Sequence, residues 1–231
     1  MLVSVKPLCT ILGAFSLTLG ACAQGFINLD FEQAVVQPFH DEGTFALIAW
    51  QLAAPGWSHS EGSDTQGVYY RDTHVGTTQA YLLVDPLSPV WRPGALEGAY
   101  SLYFRNGISN YYVGGWVNAF VAQTGLIPAD SRSVRLLATG IFRVYVNGTE
   151  IPMVSLGGSA YGGDVTGFAG TVAQLKILNA ARPIAEEVSV PVIADAIQFS
   201  PVQIPEPSSL ALSVFLGCFA VHLLRSRRAK P

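Results

Sequence analysis

No cysteine lies between Gln24 and Ile204; the three cysteines of the chain, Cys9, Cys22 and Cys218, fall in its two apolar ends. A disulfide framework and a thiolate nucleophile are therefore excluded for the central segment, which must hold together by burial. Its length, about 180 residues, suffices for one well-formed core. Basic charge is scarce too. From Gln24 to Ile204 there are 8 Lys and Arg against 15 Asp and Glu, and 8 − 15 = −7. Nucleic acid demands clustered cations and is not an expected partner. The sequence also lacks a Gly-x-Ser-x-Gly elbow, a His-Glu-x-x-His pair and a phosphate-binding loop. It has no long amphipathic helical pattern and no internal repeat.

What the chain does have is two uncharged apolar runs at its ends. The first, in "MLVSVKPLCTILGAFSLTLGACAQ", follows Lys6, extends from Leu8 to Leu19 and gives way to small residues. This pattern is that of a secretory signal peptide over residues 1–23, with Ala21 and Ala23 at the minus-three and minus-one positions of the cut. Leu19-Gly20-Ala21-Cys22 also reads as a lipobox, a second route that would leave Cys22 lipidated. The second run is uncharged from Leu210 to Leu224, and Arg225, Arg227, Arg228 and Lys230 follow it. With its flanking serines it approaches the roughly 17–25 residues a bilayer span takes, giving an expected transmembrane helix over about 208–224. The arginines would stay cytoplasmic and leave the body outside. Pro205 and Pro207 keep the preceding chain extended, where a protease has access.

Pro205-Glu206-Pro207, a short apolar span and an arginine cluster, in that order over residues 204–231, resemble the PEP-CTERM sorting signal of exopolysaccharide-producing Gram-negative bacteria. The resemblance implies recognition of the tail by an exosortase, an integral membrane cysteine protease. It also implies a destination at the cell envelope or surface, with membrane anchoring through the helix before processing. The span departs from the family pattern in having few glycines, and in carrying Cys218 and His222.

Residues 24–203, one domain, read as strand after strand. "IFRVYVNGTEIPMV" alternates Phe142, Val144 and Val146 with Arg143, Tyr145 and Asn147, and Asn147-Gly148 then supplies a type I′ hairpin turn. The sequon Asn147-Gly148-Thr149 is read as that turn and not as a glycosylation site. Further strands are expected at 26–31, 67–71, 79–84, 99–105, 116–123, 133–139, 171–178 and 192–199, separated by Gly, Pro, Asp and Ser clusters. Many short strands in one domain predict an all-β, antiparallel two-sheet β-sandwich, of jelly-roll type.

The phrases "FINLDFE", "LEGAYSLYF", Asp164-Val165-Thr166-Gly167-Phe168-Ala169-Gly170 and Asp195-Ala196-Ile197 follow one another in an order that resembles galactose-binding-like and carbohydrate-binding jelly rolls. Alternation puts Asp195 on one face with Ile193, Ile197 and Phe199, where a bare charge is costly. In similar jelly rolls such a carboxylate and one near the first strand hold a structural calcium, which makes Glu32 its implied partner. The other reading has Asp195 accepting backbone hydrogen bonds at a strand edge.

His59, Glu61, Asp64, Asp72 and His74 match no zinc spacing and read as a polar loop, and His40-Asp41-Glu42 reads as a turn. Trp57, Tyr69, Tyr70, Trp91, Tyr111, Tyr112 and Trp116 are expected in or beside loops, where rings stack on sugar faces unless the core claims them. Tyr111, Tyr112 and Trp116 in "SNYYVGGW" are preferred as ligand-binding residues, because adjacent tyrosines cannot both point inward on a strand. These observations lead to the expectation of an exported, non-catalytic surface or matrix protein that contacts exopolysaccharide. A secreted carbohydrate-active enzyme and a purely structural surface protein are the alternatives.

Overall fold

The computed structural model describes residues 25–43, 45–60, 67–71, 78–88, 94–109, 115–181, 183–184 and 188–204. Its elements begin with β1 (Pro38–Asp41), β2 (Ala46–Ala49), a single helical turn α1 (Trp50–Ala53), β3 (Ser58–His59), β4 (Gly67–Tyr70), β5 (Ala80–Val84) and β6 (Ser101–Arg105). There follow β7 (Gly107–Ser109), β8 (Gly115–Val117), β9 (Phe120–Leu126), β10 (Ser133–Thr139), β11 (Phe142–Val146), β12 (Thr149–Ile151) and β13 (Val154–Gly157). The last are β14 (Ala160–Asp164), β15 (Val172–Asn179), β16 (Pro183–Ile184), β17 (Val188–Ser189) and β18 (Val192–Ser200).

Among the described residues these strands make a nine-stranded sheet, in the order β1-β2-β4-β5-β6-β18-β10-β14-β13, and a five-stranded sheet, β12-β11-β15-β9-β3. Two small ribbons, β7-β8 and β16-β17, accompany them. Pairing is antiparallel apart from β4 with β5. One buried cluster takes Leu83, Phe104, Leu136 and Ala194 from the larger sheet and Val121, Val144, Leu175 and Ile177 from the smaller. The fold is therefore mostly β, with both sheets contributing to a common core.

The clearest sequence expectation is met at the hairpin. Val144 and Val146 are buried, and Asn147 and Gly148 take φ of +47° and +79°, as a type I′ turn requires. The expected strands at 67–71, 79–84, 99–105, 133–139, 171–178 and 192–199 appear with small shifts of their ends. Three expectations need correction. Residues 26–31 form no strand, because Asn28 and Phe31 turn the backbone to positive φ and the Gln123 side chain takes the place of a neighbouring strand. That amide accepts from the Ile27 N–H at 2.6 Å and donates to the Ile27 carbonyl at 2.9 Å. The expected strand 116–123 is broken into β8 and β9 at Asn118-Ala119, whose backbone bonds elsewhere. The Ala119 N–H goes to Asn106 Oδ1 at 2.6 Å and the Ala119 carbonyl accepts from Asn179 N–H at 2.9 Å. His40 and Asp41 lie in β1 and not in a turn, paired to β2.

Strand β14, "AYGGD", escapes a propensity reading because of its glycines. They are there because the backbone is crowded: a Cβ on Gly162 would come within 2.5 Å of the Ile204 side chain, and one on Gly163 within 2.5 Å of Ile151. Ile204 is thereby buried against β14, just after Ser133 Oγ donates to the Val202 carbonyl at 2.6 Å.

The end of the molecule that begins β18 is tied by two buried amides. Asn106, which follows β6 of the larger sheet, donates to the carbonyls of Ala181 at 2.9 Å and Asn179 at 3.2 Å. Asn179, at the end of β15 of the smaller sheet, donates to Phe104 and Val190 carbonyls at 3.2 and 3.0 Å. Each buried polar group stripped of its partner costs about 1–3 kcal/mol. Asn106→Ala orphans the Ala119 N–H and two carbonyls together. It is expected to destabilise the fold by roughly 3–5 kcal/mol and to lower the melting temperature by about 10 °C, measured by thermal denaturation. A loss within 2 °C would mean that water replaces the amide at no cost.

Candidate functional site

At the end held by that amide pair, the outer side of the five-stranded sheet carries a groove of about 350 Å³. It is lined by Trp116, Asn118, Arg143, Leu178 and the turn from Asn179 to Ala181. Trp116 comes from β8 and is half-buried; its indole N–H donates to Asn118 Oδ1 at 3.2 Å, which fixes the ring across the Asn118-Ala119 break. Arg143 and Leu178 reach the groove by strand alternation, since their neighbours Val144 and Ile177 face the core. The floor follows from the Asn179 side chain, whose Oδ1 accepts from the Ala181 N–H at 2.9 Å and bends the chain there.

The same outward face continues along the sheet with Phe120, Tyr145 and Lys176. The Lys176 ammonium lies 4.9 Å from the Tyr145 ring centre and 5.3 Å from that of Phe120. Glu150 approaches Arg143 and Tyr145 at 3.5 Å each. The Tyr145 contact, and then the Glu150 charge, raise the Arg143 pKa further, so its guanidinium stays charged. An indole, an amide and a guanidinium on one concave surface match the mix of apolar faces and directed polar groups that binds small polar molecules.

A larger cavity, about 570 Å³, lies along β10, β14 and β18 beside Arg135, Leu137, Gln198 and Tyr161. Its aromatic ring is already engaged: Tyr161 meets Phe142 edge-on at 4.9 Å and packs on the shared core. The Trp116 groove is for that reason the better site for ring stacking.

The other expected binding aromatics fare differently. Trp57 belongs to the core, stacked on Phe31 at 5.4 Å with its indole N–H on the Asn28 carbonyl. Tyr70 is buried, and its hydroxyl donates to Asp85 at 2.7 Å; burial, then that carboxylate, pushes its pKa up to about 12. Tyr69 is partly buried and meets Phe45 at 5.7 Å. His59 lies in β3 with its ring 4.4 Å from that of Trp50. Trp91, Tyr111, Tyr112, Glu61, Asp64, Asp72 and His74 lie outside the described residues, as do Ala21, Ala23, Cys22, Pro205, Glu206, Pro207, Arg225, Arg227 and Arg228. Among the described residues no helix is long and apolar enough to cross a membrane.

Glu32 and Asp195 do come together, on one loop. Asp195 is 1% exposed and accepts from Ser101 Oγ, from Glu97 N–H at 3.0 Å and from Ala196 N–H at 2.7 Å. Glu32 Oε1 accepts from the N–H groups of Ala99 and Tyr100 at 2.8 and 3.0 Å. The face assignment from alternation is half right. Asp195 lies opposite the core with Ile193, but Ala196 sits at φ +46° in a bulge against β10. The bulge turns Ile197 and Phe199 to the core side. Burial raises the Asp195 pKa to about 6; Ser101, Ala196 and Glu97 draw it down, and the Glu32 charge pushes it up. Two carboxylates on one loop suit a hard divalent cation in kind. In number they fall short: no group of three or more His, Cys, Asp or Glu gathers for a metal among the described residues.

The chain matches no known protein family, and no curated protein matches it. Among solved structures it is similar to a Stig cyclase, FisC, from Fischerella sp. TAU, in complex with (3Z)-3-(1-methyl-2-pyrrolidinylidene)-3H-indole. The identity is 13% and the TM-score 0.41, over 76% of this chain and 94% of that one. That neighbour is an enzyme, against the expectation of a non-catalytic protein; the expectation is withdrawn, and the likeness assigns this chain no activity in its place. The missing motifs exclude only the chemistries those motifs define. At that TM-score the likeness transfers no reaction.

Sequence reasoning reached Trp116, Glu32 and Asp195 but missed Asn118, Arg143 and Lys176 as site residues. The alternation of "FRVYV" already turned Arg143 and Tyr145 outward; what was not visible was that β15 would lay Lys176 and Leu178 beside them.

Asp195 gives a signed pH dependence. A carboxyl whose pKa rises from 3.8 to about 6 on folding contributes stability below pH 3.8 that is lost as pH climbs through about 6. Asp195→Asn is expected to flatten this slope in melting temperatures taken from pH 3.5 to 7.5. A calcium ion held by the pair would compete with the proton, so calcium chloride at pH 7.5 would then raise the wild-type melting temperature and leave Glu32→Gln unmoved. Identical wild-type melts with calcium and with chelator would eliminate the metal.

Proposed function

We propose that this protein is an exported component of the bacterial cell envelope, delivered through its PEP-CTERM tail to an exosortase, and that its Trp116 groove contacts exopolysaccharide. In this reading the two sheets are a jelly-roll β-sandwich, with the Glu32 and Asp195 carboxylates fastening the 97–100 loop. Residues 1–23 are removed as a signal peptide, and the apolar tail spans the membrane before processing.

The observation that carries the reading is the groove itself, an indole face beside Asn118 and Arg143 on an outward surface. Its position adds support. Strand β18 starts beside the groove, where Asn179 bonds the Val190 carbonyl, and runs to Ser200, next to the docked Ile204. Nine residues of strand make roughly 26 Å. A body held by its tail would accordingly present the groove away from the lipid surface, where extracellular polymer lies.

Intact-mass measurement of the exported protein is expected to show a chain starting at Gln24 with a processed tail. Deletion of residues 205–231 should move the body from the envelope to the medium. Retention of the truncated protein at the envelope would defeat the sorting assignment. For the groove, Trp116→Ala is expected to weaken binding to exopolysaccharide isolated from the producing cells by about 3- to 10-fold. Unchanged binding by a folded variant would remove Trp116 from the site.

A further inference from the structure

The charges around the groove run against those of the domain. While the segment from Gln24 to Ile204 carries 8 cationic and 15 acidic side chains, the outward face of β11 and β15 presents Arg143 and Lys176. The neighbouring β12 offers Glu150 alone against them. Register puts Arg143 opposite Leu178 and Tyr145 opposite Lys176. The two cations are thus diagonal neighbours on adjacent strands, about 7–8 Å apart at their bases.

Lys176 has no carboxylate within ion-pair distance among the described residues; two aromatic rings flank its ammonium instead. Arg143 has one carboxylate contact, Glu150, at 3.5 Å with both side chains about half exposed. Such exposed pairs are worth about 0–1 kcal/mol, so an incoming anion can displace it. The acidic surplus elsewhere does not prevent approach, because at physiological salt charges are screened over about 8 Å.

We propose that the ligand of this groove is an anionic saccharide, a uronate polymer whose carboxylates meet Arg143 and Lys176 while a sugar ring lies on Trp116. The proposal rests on the saccharide reading above and adds its substrate class. Glu150 then acts as a competitor for the ligand's own carboxylate. Its removal should strengthen binding, which a structural role for Glu150 does not foresee.

The test titrates the full-length chain in detergent micelles with polygalacturonate and with dextran, at low and high salt, by calorimetry. Polygalacturonate is expected to bind more tightly than dextran and to weaken as salt rises. Lys176→Gln and Arg143→Gln should each weaken polygalacturonate binding about three- to fivefold, and more than they weaken dextran binding. Glu150→Gln should strengthen polygalacturonate binding about two- to threefold. Circular dichroism confirms that the variants are folded. Equal binding of the two polymers, or a preference for dextran, overturns the charge assignment and leaves the saccharide reading in place. Silence toward both overturns the two together. Binding of a sulfated polymer with no response to polygalacturonate overturns the uronate assignment, and so does a folded Glu150→Gln variant that binds polygalacturonate more weakly than wild type.

Discussion

The amide pair Asn106 and Asn179 is the interaction on which the rest of the molecule turns. Each residue sits where its sheet ends, each is fully buried, and between them they bond the backbone of Phe104, Ala119, Asn179, Ala181 and Val190. Strand ends leave peptide groups without ladder partners, and a buried orphan is more expensive than the hydrogen bond is favourable. The pair resolves that problem for two sheets at once. The bend it imposes from Asn179 to Ala181 forms the floor of the groove, and Trp116, set just before the break at Ala119, lines it as well.

Elsewhere the domain repeats this solution with charged groups. Glu32, from the first described segment, and Asp195, from the last strand, both accept N–H groups of the 97–100 loop and so join the two ends of the domain through a third segment. Gln123 does the same for Ile27. A chain with no disulfide between Gln24 and Ile204 thus uses side-chain-to-backbone bonds across separations of 67 to 98 residues as its long-range ties.

How far the sequence revealed this depends on the range of each interaction. The hairpin at Asn147-Gly148 was legible because its cause is local, with two positive φ values after an alternating run. Strand β10 was legible end to end for the same reason. The loss of a strand at 26–31 was not, since it depends on Gln123 nearly a hundred residues away. Strand β14 was hidden by glycines whose purpose appears only when Ile204 packs over them. At the site, Trp116 and the Glu32–Asp195 pair emerged from local patterns and a resemblance. Arg143 and Lys176 emerged only once register had set their strands side by side.

The seating of Ile204 on Gly162 has a mechanical consequence. The described body extends to Ile204, the residue before Pro205 in the sequence. An enzyme that severs the chain there would work almost flush against a folded surface, within the width of its own cleft. Either its entrance is shallow on that side, or Ile204 must first be peeled from β14. If the tail is processed as proposed above, that small apolar contact would stand in the way of the cut.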